Sequence, residues 1–233
     1  MTYPFLLIFA LAPSLVWLAF YLRKDSHPEP NQMIIKIFLG GMIVALLAIF
    51  IEHALGGFFS SLSFPPLISL IISFFFVIAL IEELFKYAVV RFGVFSNTAL
   101  DEPLDVMLYM IISALGFAAF ENILLLFKLI QTYPLSDVFL VNAIRFMEAI
   151  FLHALVSGLF GYFIALSLLK KNGAPWLFFI GLGTATLLHG LFNFYIFTLG
   201  DKGLVQLLFP IIPLLFLAVF VSFAFQRLKL KNI

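Results

Sequence analysis

The sequence predicts an all-α fold, a polytopic membrane helix bundle of about seven transmembrane helices. Three observations predict it. Hydrophobic residues make up 64% of the 233 and charged residues only 11%, whereas a soluble domain is about half apolar and a quarter charged. Apolar runs long enough to cross a bilayer core recur seven times along the chain. Breaks rich in proline or glycine separate them. The 32 Phe suit lipid-facing surfaces better than a packed soluble core.

The runs fall near 4–22, 33–55, 66–91, 104–129, 138–169, 175–199 and 203–226. The first has no positive region before it, and Arg23 and Lys24 follow it. It reads as an uncleaved span rather than a signal peptide. Pro28 and Pro30 follow that span, and Pro65 and Pro66 precede the third. Pro103 opens the fourth, Pro134 precedes the fifth, and Gly173-Ala-Pro175 separates the fifth from the sixth. The fifth run is too long for one perpendicular span, so its first part is expected to tilt or lie in the interface. Without a repeat or a soluble segment, residues 1–233 read as a single membrane domain.

Basic residues orient the bundle. Arg23, Lys24, Lys36, Arg91, Lys170, Lys171, Arg227, Lys229 and Lys231 fall on one side, against Lys128 and Lys202 on the other. The nine mark the cytoplasm, giving an N-terminus out and a C-terminus in. A net charge of +1 implies no nucleic-acid partner. The absence of Cys removes thiolate catalysis, thiolate metal sites and disulfides.

The remaining ionisable residues carry the functional signal. Lys86 and Arg145 lie inside apolar runs, as do Glu52, Glu82, Glu83, Glu121 and Glu148, joined by His53, His153 and His189. A charged side chain at the bilayer centre costs about 2.5 to 3.5 kcal/mol, so seven facing lipid would cost roughly 20. They must face the bundle interior, pair or change protonation. Five carboxyl groups against two bases means that some hold protons or that a cation sits among them. Glu82 and Lys86 are four apart, at ion-pair spacing, while Glu83 points about 100° away. Phe117 shares a face with Glu121, and His189 with Asn193. Arg145 and Glu148, three apart, read as a structural pair. Asn122 and Asn193 read as bridges between helices. Small pairs, Ser157 with Gly161 and Gly181 with Ala185, read as close helix contacts.

Peptide hydrolysis in a membrane needs an activated water, a stabilised oxyanion and a protonated leaving amine. A Glu and a His can share the proton work, or Glu and His can hold Zn²⁺ and acidify its water. The site expected here is Glu83, Glu121, His153 and His189, with Glu82 paired to Lys86. No His-Glu-x-x-His is present, nor an intramembrane Asp pair, nor a Gly-x-Ser-Gly motif.

Four segments in order resemble the PrsW-type intramembrane proteases, distant relatives of the CAAX prenyl proteases. They are Glu82-Glu83-Leu-Phe-Lys86, then Gly116-Phe117-Ala-Ala-Phe-Glu121-Asn122, then Arg145 with His153, and last His189-Gly-Leu-Phe-Asn193. The first loop, Asp25 to Pro30, leading into Gly40-Gly41, looks like the family's entry to its second helix. The resemblance implies catalytic Glu82, Glu83, Glu121, His153 and His189, supported by Lys86, Asn122, Arg145 and Asn193. It implies a multi-pass protein of a bacterial cell membrane, cutting a single-span membrane protein such as an anti-sigma factor in envelope-stress signalling. Glu83 would act as general base, or Glu83, His153 and His189 would hold Zn²⁺. The CAAX-protease relatives have His where this chain has Glu121. The competing class is a proton-coupled transporter, since intramembrane Glu and His also relay protons. The absence of internal symmetry and of Gly- or Pro-broken midspan helices weighs against it. A binding protein without catalysis is the third class.

Overall fold

The computed structural model describes residues 3–170, 173–199 and 209–230. Lys171, Lys202 and Lys231 of the orientation count lie outside these residues, as does the first part of the 203–226 span. Among the described residues, seven helices are long and apolar enough to cross a membrane. The elements are α1 (Tyr3–Leu22), α2 (Asn31–Ser61), α3 (Pro66–Ile71), a π-helical segment (Ile72–Ala79), α4 (Leu80–Gly93), α5 (Pro103–Leu129), α6 (Leu135–Met147), α7 (Ala149–Leu168), α8 (Pro175–Leu199) and α9 (Ile211–Lys229). Helices dominate because a helix satisfies every backbone N–H and C=O within its own segment, which hydrocarbon cannot do.

Helix α5 is the axis of the bundle. Residues 103–119 are buried without a gap, and α1, α2, α4 and α7 pack around it. Its start follows from local chemistry. Pro103 takes the first helical turn, where its missing N–H costs nothing. Asp105 Oδ2 accepts from Glu102 N at 2.6 Å and from Asp101 N at 2.9 Å, half of a capping box that Glu102 completes.

Close approach of α2 to α5 depends on two glycines. A Cβ on Gly41 would lie 2.1 Å from the carbonyl oxygen of Ser113, and one on Gly116 would lie 2.0 Å from that of Phe38. Both obstacles are backbone and cannot rotate away. Small residues at such crossings let membrane helices pack tightly where no hydrophobic driving force acts between them. Gly41→Ala is therefore expected to lower stability by about 1–3 kcal/mol, the cost of overpacking. Thermal melting of the detergent-solubilised chain reads this, and Gly57→Ala, where a Cβ meets nothing within 4 Å, is the control.

The long fifth run is two helices. It breaks at Glu148, whose φ of −118° and ψ of −81° leave the helical region. No proline or glycine marks the break. The backbone stays satisfied within lipid depth because Trp17 Nε1 donates to the carbonyl of Phe146 at 2.9 Å. The indole also stacks on Phe151, with ring centroids 4.1 Å apart. The π-helical segment is a second irregularity that composition does not announce. Its Phe75 packs where Gly190 of α8 leaves room, and a Cβ there would lie 2.5 Å from the ring.

The first loop docks onto α5. Glu29 is buried, and Tyr109 Oη donates to its Oε2 at 2.5 Å. Burial pushes the Glu29 carboxyl from an ordinary 4.5 up to about 8, with Asp105 and Asp25 adding to the rise and the Tyr109 hydrogen bond opposing it. A carboxyl raised on folding contributes its full stability below the unfolded value and loses it as pH rises through the folded one. Melting temperature is expected to fall as pH rises from about 4.5 to about 8. In Glu29→Gln that fall should be shallower; an identical slope would remove Glu29 as its source.

Candidate active site

Helix α4 begins immediately after the π-helical segment, and its first turns carry Glu82, Glu83 and Lys86. All three are buried. Lys86 Nζ donates to Glu82 Oε2 at 3.1 Å and to Glu83 Oε1 at 2.7 Å. The same ammonium lies 2.8 Å from His153 Nδ1 and over the Phe117 ring, 4.5 Å from its centroid. One cation from α4 thus holds two carboxylates and an imidazole of α7. Charge-assisted bonds in a low-dielectric interior fix geometry more firmly than neutral ones.

The two histidines face each other, with ring centroids 4.9 Å apart and planes at 85°. His189 Nδ1 lies 3.0 Å from Glu83 Oε1, and His153 Nε2 lies 3.0 Å from Glu121 Oε2. An ionised carboxylate only accepts, so each of these nitrogens carries the proton. Of the remaining nitrogens, His153 Nδ1 accepts from Lys86 Nζ, and His189 Nε2 keeps an open lone pair 3.7 Å from Glu82 Oε2. Glu83 and Glu121 set the tautomers. Glu82 lies beside both rings.

Glu82 and Glu83 do not occupy equivalent positions. Glu83 is fully enclosed: Oε1 takes Lys86 and His189, and Oε2 accepts from Ser157 Oγ at 2.7 Å. Glu82 lines a cavity of about 550 Å³ shared with Glu121, His153, His189, Arg145 and Asn193. The sequence reading gives Glu83 the open position and Glu82 the pairing; the structure pairs both with Lys86 and opens only Glu82 to the cavity.

Arg145 does not pair with Glu148, contrary to the spacing. Its Nε donates to Asn122 Oδ1 at 2.8 Å. Three-residue spacing brings side chains together only on a continuous helix, and the break at Glu148 ends that continuity. Asn122 bridges as expected, its Nδ2 donating to Ala10 O at 2.8 Å and to Asn142 Oδ1 at 2.7 Å. Two residues were missed as parts of the site. Ser157 read as a packing position, yet it holds Glu83. Ser113 Oγ donates to the Lys86 carbonyl at 3.0 Å, tying α5 to α4 beside the charges. Only the hydroxyl marked them in sequence. Gly161, the other half of the first small pair, does lie against Met107.

The donor chemistry suits a divalent cation. Glu82, His153 and His189 each offer a ligand atom, all within 4.8 Å of one another. Two imidazoles and a carboxylate are a ligand set of zinc hydrolases, and each histidine has a carboxylate at its other nitrogen, as ligating histidines usually do. This set substitutes Glu82 for the Glu83 expected from sequence.

Residues 29–224 match the model of the PrsW family intramembrane metalloproteases. The chain is 30% identical to Protease PrsW of Oceanobacillus iheyensis, over 95% of this chain and 94% of that protein. It is 28% identical to Protease PrsW of Geobacillus kaustophilus, over 78% and 76%, and 26% identical to that of Bacillus subtilis, over 82% of each. No solved structure matches it. With a family match over most of its length and a relative aligned almost end to end, this multi-pass bacterial membrane protein belongs to the PrsW family of intramembrane proteases.

Proposed function

We propose that the chain hydrolyses a peptide bond in or beside the spanning segment of a single-span membrane protein, with Glu82 as the group that exchanges protons with water and leaving group. The observation that carries this is the opening of Glu82, alone of the α4 pair, to a cavity that both histidines line. Glu82 takes a proton as the water oxygen adds to the scissile carbonyl carbon. It returns that proton to the amine nitrogen as the C–N bond breaks. His189, held by Glu83, accepts at Nε2 and orients the water. Neither histidine donates into the cavity in these tautomers. Arg145 and Asn193 line it as N–H donors and face the oxyanion.

A divalent cation bound by Glu82, His153 and His189 would supply a water that ionises near neutral pH. In that state Lys86 must move from His153 Nδ1, because its ammonium takes the lone pair a metal needs. Glu83 and Glu121 keep the same task either way, fixing the two rings.

The substrate we propose is a single-span anti-sigma factor, whose cut would start an envelope-stress response. The family resemblance of the four motif segments supports this choice. New protein N-termini in the membrane fraction test it, compared between cells making the wild type and Glu82→Gln at matched abundance. Cleavages confined to the wild type and falling near single spans support the reading and name the substrate. Identical profiles at rest and under envelope stress overturn it and direct attention to transport.

A further inference from the structure

The active cavity has a second acidic wall for which catalysis has no use. Glu148, at the break between α6 and α7, is 3% exposed, and its Oε1 has no hydrogen-bond partner among the described residues. Glu52 of α2 also carries a buried Oε1 without a partner among those residues. Both residues line the same cavity as Glu82 and Glu121. A buried carboxylate left unbonded is costly, and native proteins seldom keep one without a purpose. Here two converge on one space from helices distant in sequence. The backbone departure at Glu148 is what turns its side chain off the α6 surface and away from Arg145, which is bonded to Asn122.

Charge says what the wall accepts. Four carboxyl groups line the cavity, Glu52, Glu82, Glu121 and Glu148, against the single guanidinium of Arg145. Lys86 lies behind them, already shared by Glu82, Glu83 and His153. A ligand that brings positive charge and several N–H donors would satisfy both open oxygens. An apolar side chain would leave them buried and unpaired, which is how a site built for hydrogen bonding rejects its apolar analogue.

We propose that Glu148 and Glu52 form a specificity subsite that receives a lysine or arginine side chain of the substrate segment beside the scissile bond. This rests on the proteolytic reading for its biological meaning, but not for its test. Glu52 belongs to α2 and Glu148 to the head of α7, so the subsite is built from elements other than α4 and α8, which carry Glu82 and His189.

Binding is measured on the full chain in nanodiscs, carrying Glu82→Gln so that nothing is cut. The probes are labelled Leu/Ala span peptides of about 25 residues. Each carries one Lys, stepped along the span, or Leu at the same place. The expected result is a position at which the Lys peptide binds at least about tenfold more tightly than its Leu counterpart. Adding Glu148→Gln, which keeps the side-chain shape, should bring that ratio to within about twofold, and Glu52→Gln should reduce it partway. Melting curves confirm that the variants are folded. Equal binding of Lys and Leu peptides at every position overturns the proposal, as does a ratio that Glu148→Gln leaves intact. A Lys preference lost in Glu148→Gln, together with unchanged N-termini in cells, would keep the subsite and reject proteolysis.

Discussion

Glu82→Gln should abolish cleavage by a factor of about 10² to 10⁴, the contribution of a positioned general base, while leaving a folded bundle. Glutamine keeps the volume and can still accept from Lys86 through its carbonyl oxygen. What it cannot do is take and return a proton, or ligate a metal as a carboxylate does. Glu83→Gln is the informative comparison. It would also slow cleavage, but through its contacts: His189, Lys86 and Ser157 all lean on Glu83, so melting temperature should drop with it. If Glu82→Gln cuts at the wild-type rate and Glu83→Gln is dead at wild-type stability, the roles given to the pair must be exchanged. Purified protein with a span-containing substrate identified from the N-terminus comparison supplies the assay.

Lys86→Met should cost about 3–5 kcal/mol, the penalty for removing one partner of a buried ion pair. Methionine fills the space beside Phe117 but leaves Glu82 and Glu83 without their cation. Glu83 is fully enclosed and cannot recruit water in its place. Adding Glu83→Gln to Lys86→Met removes opposite charges together, and part of the lost stability should return. A double-mutant cycle on melting data isolates that coupling. A Lys86→Met protein that melts with the wild type would show that the lysine stabilises nothing and serves chemistry alone.

The spans were legible because hydrocarbon imposes one requirement, about 20 apolar residues in a row, and every run met it. Their limits were less so. Helix α2 continues to Ser61, beyond the apolar run of 33–55; Gly56 and Gly57 look like breakers, yet neither is asked to bend. The break at Glu148 left no trace because tertiary contacts from Trp17, over a hundred residues earlier in the chain, sustain it. In the site, residue types that are expensive in lipid announced themselves, and Glu82, Glu83, Lys86, Glu121, His153 and His189 do meet. Partner choice was not legible. Arg145 bonds Asn122 rather than Glu148, and Ser157 bonds Glu83 of α4 rather than serving as a packing position alone. Those selections depend on how α5, α6 and α7 are placed, which no local spacing encodes.

The π-helical segment explains the one choice that mattered most, which glutamate meets the cavity. Its bonds run from residue i to i+5 rather than i+4, a wider winding that is frequent at functional sites. Residues 72–79 therefore act as a phase shifter ahead of the glutamate pair. Counting at 3.6 residues per turn from Pro66 gives the wrong clock position for everything after Ala79. Rewinding this stretch as ordinary helix at unchanged length would turn the pair by about 100°, a larger change than most substitutions at the glutamates themselves could produce. What would move the pair is a change of winding at the same length, or an inserted residue that the segment does not absorb, and these are the events able to reprogram or silence the enzyme.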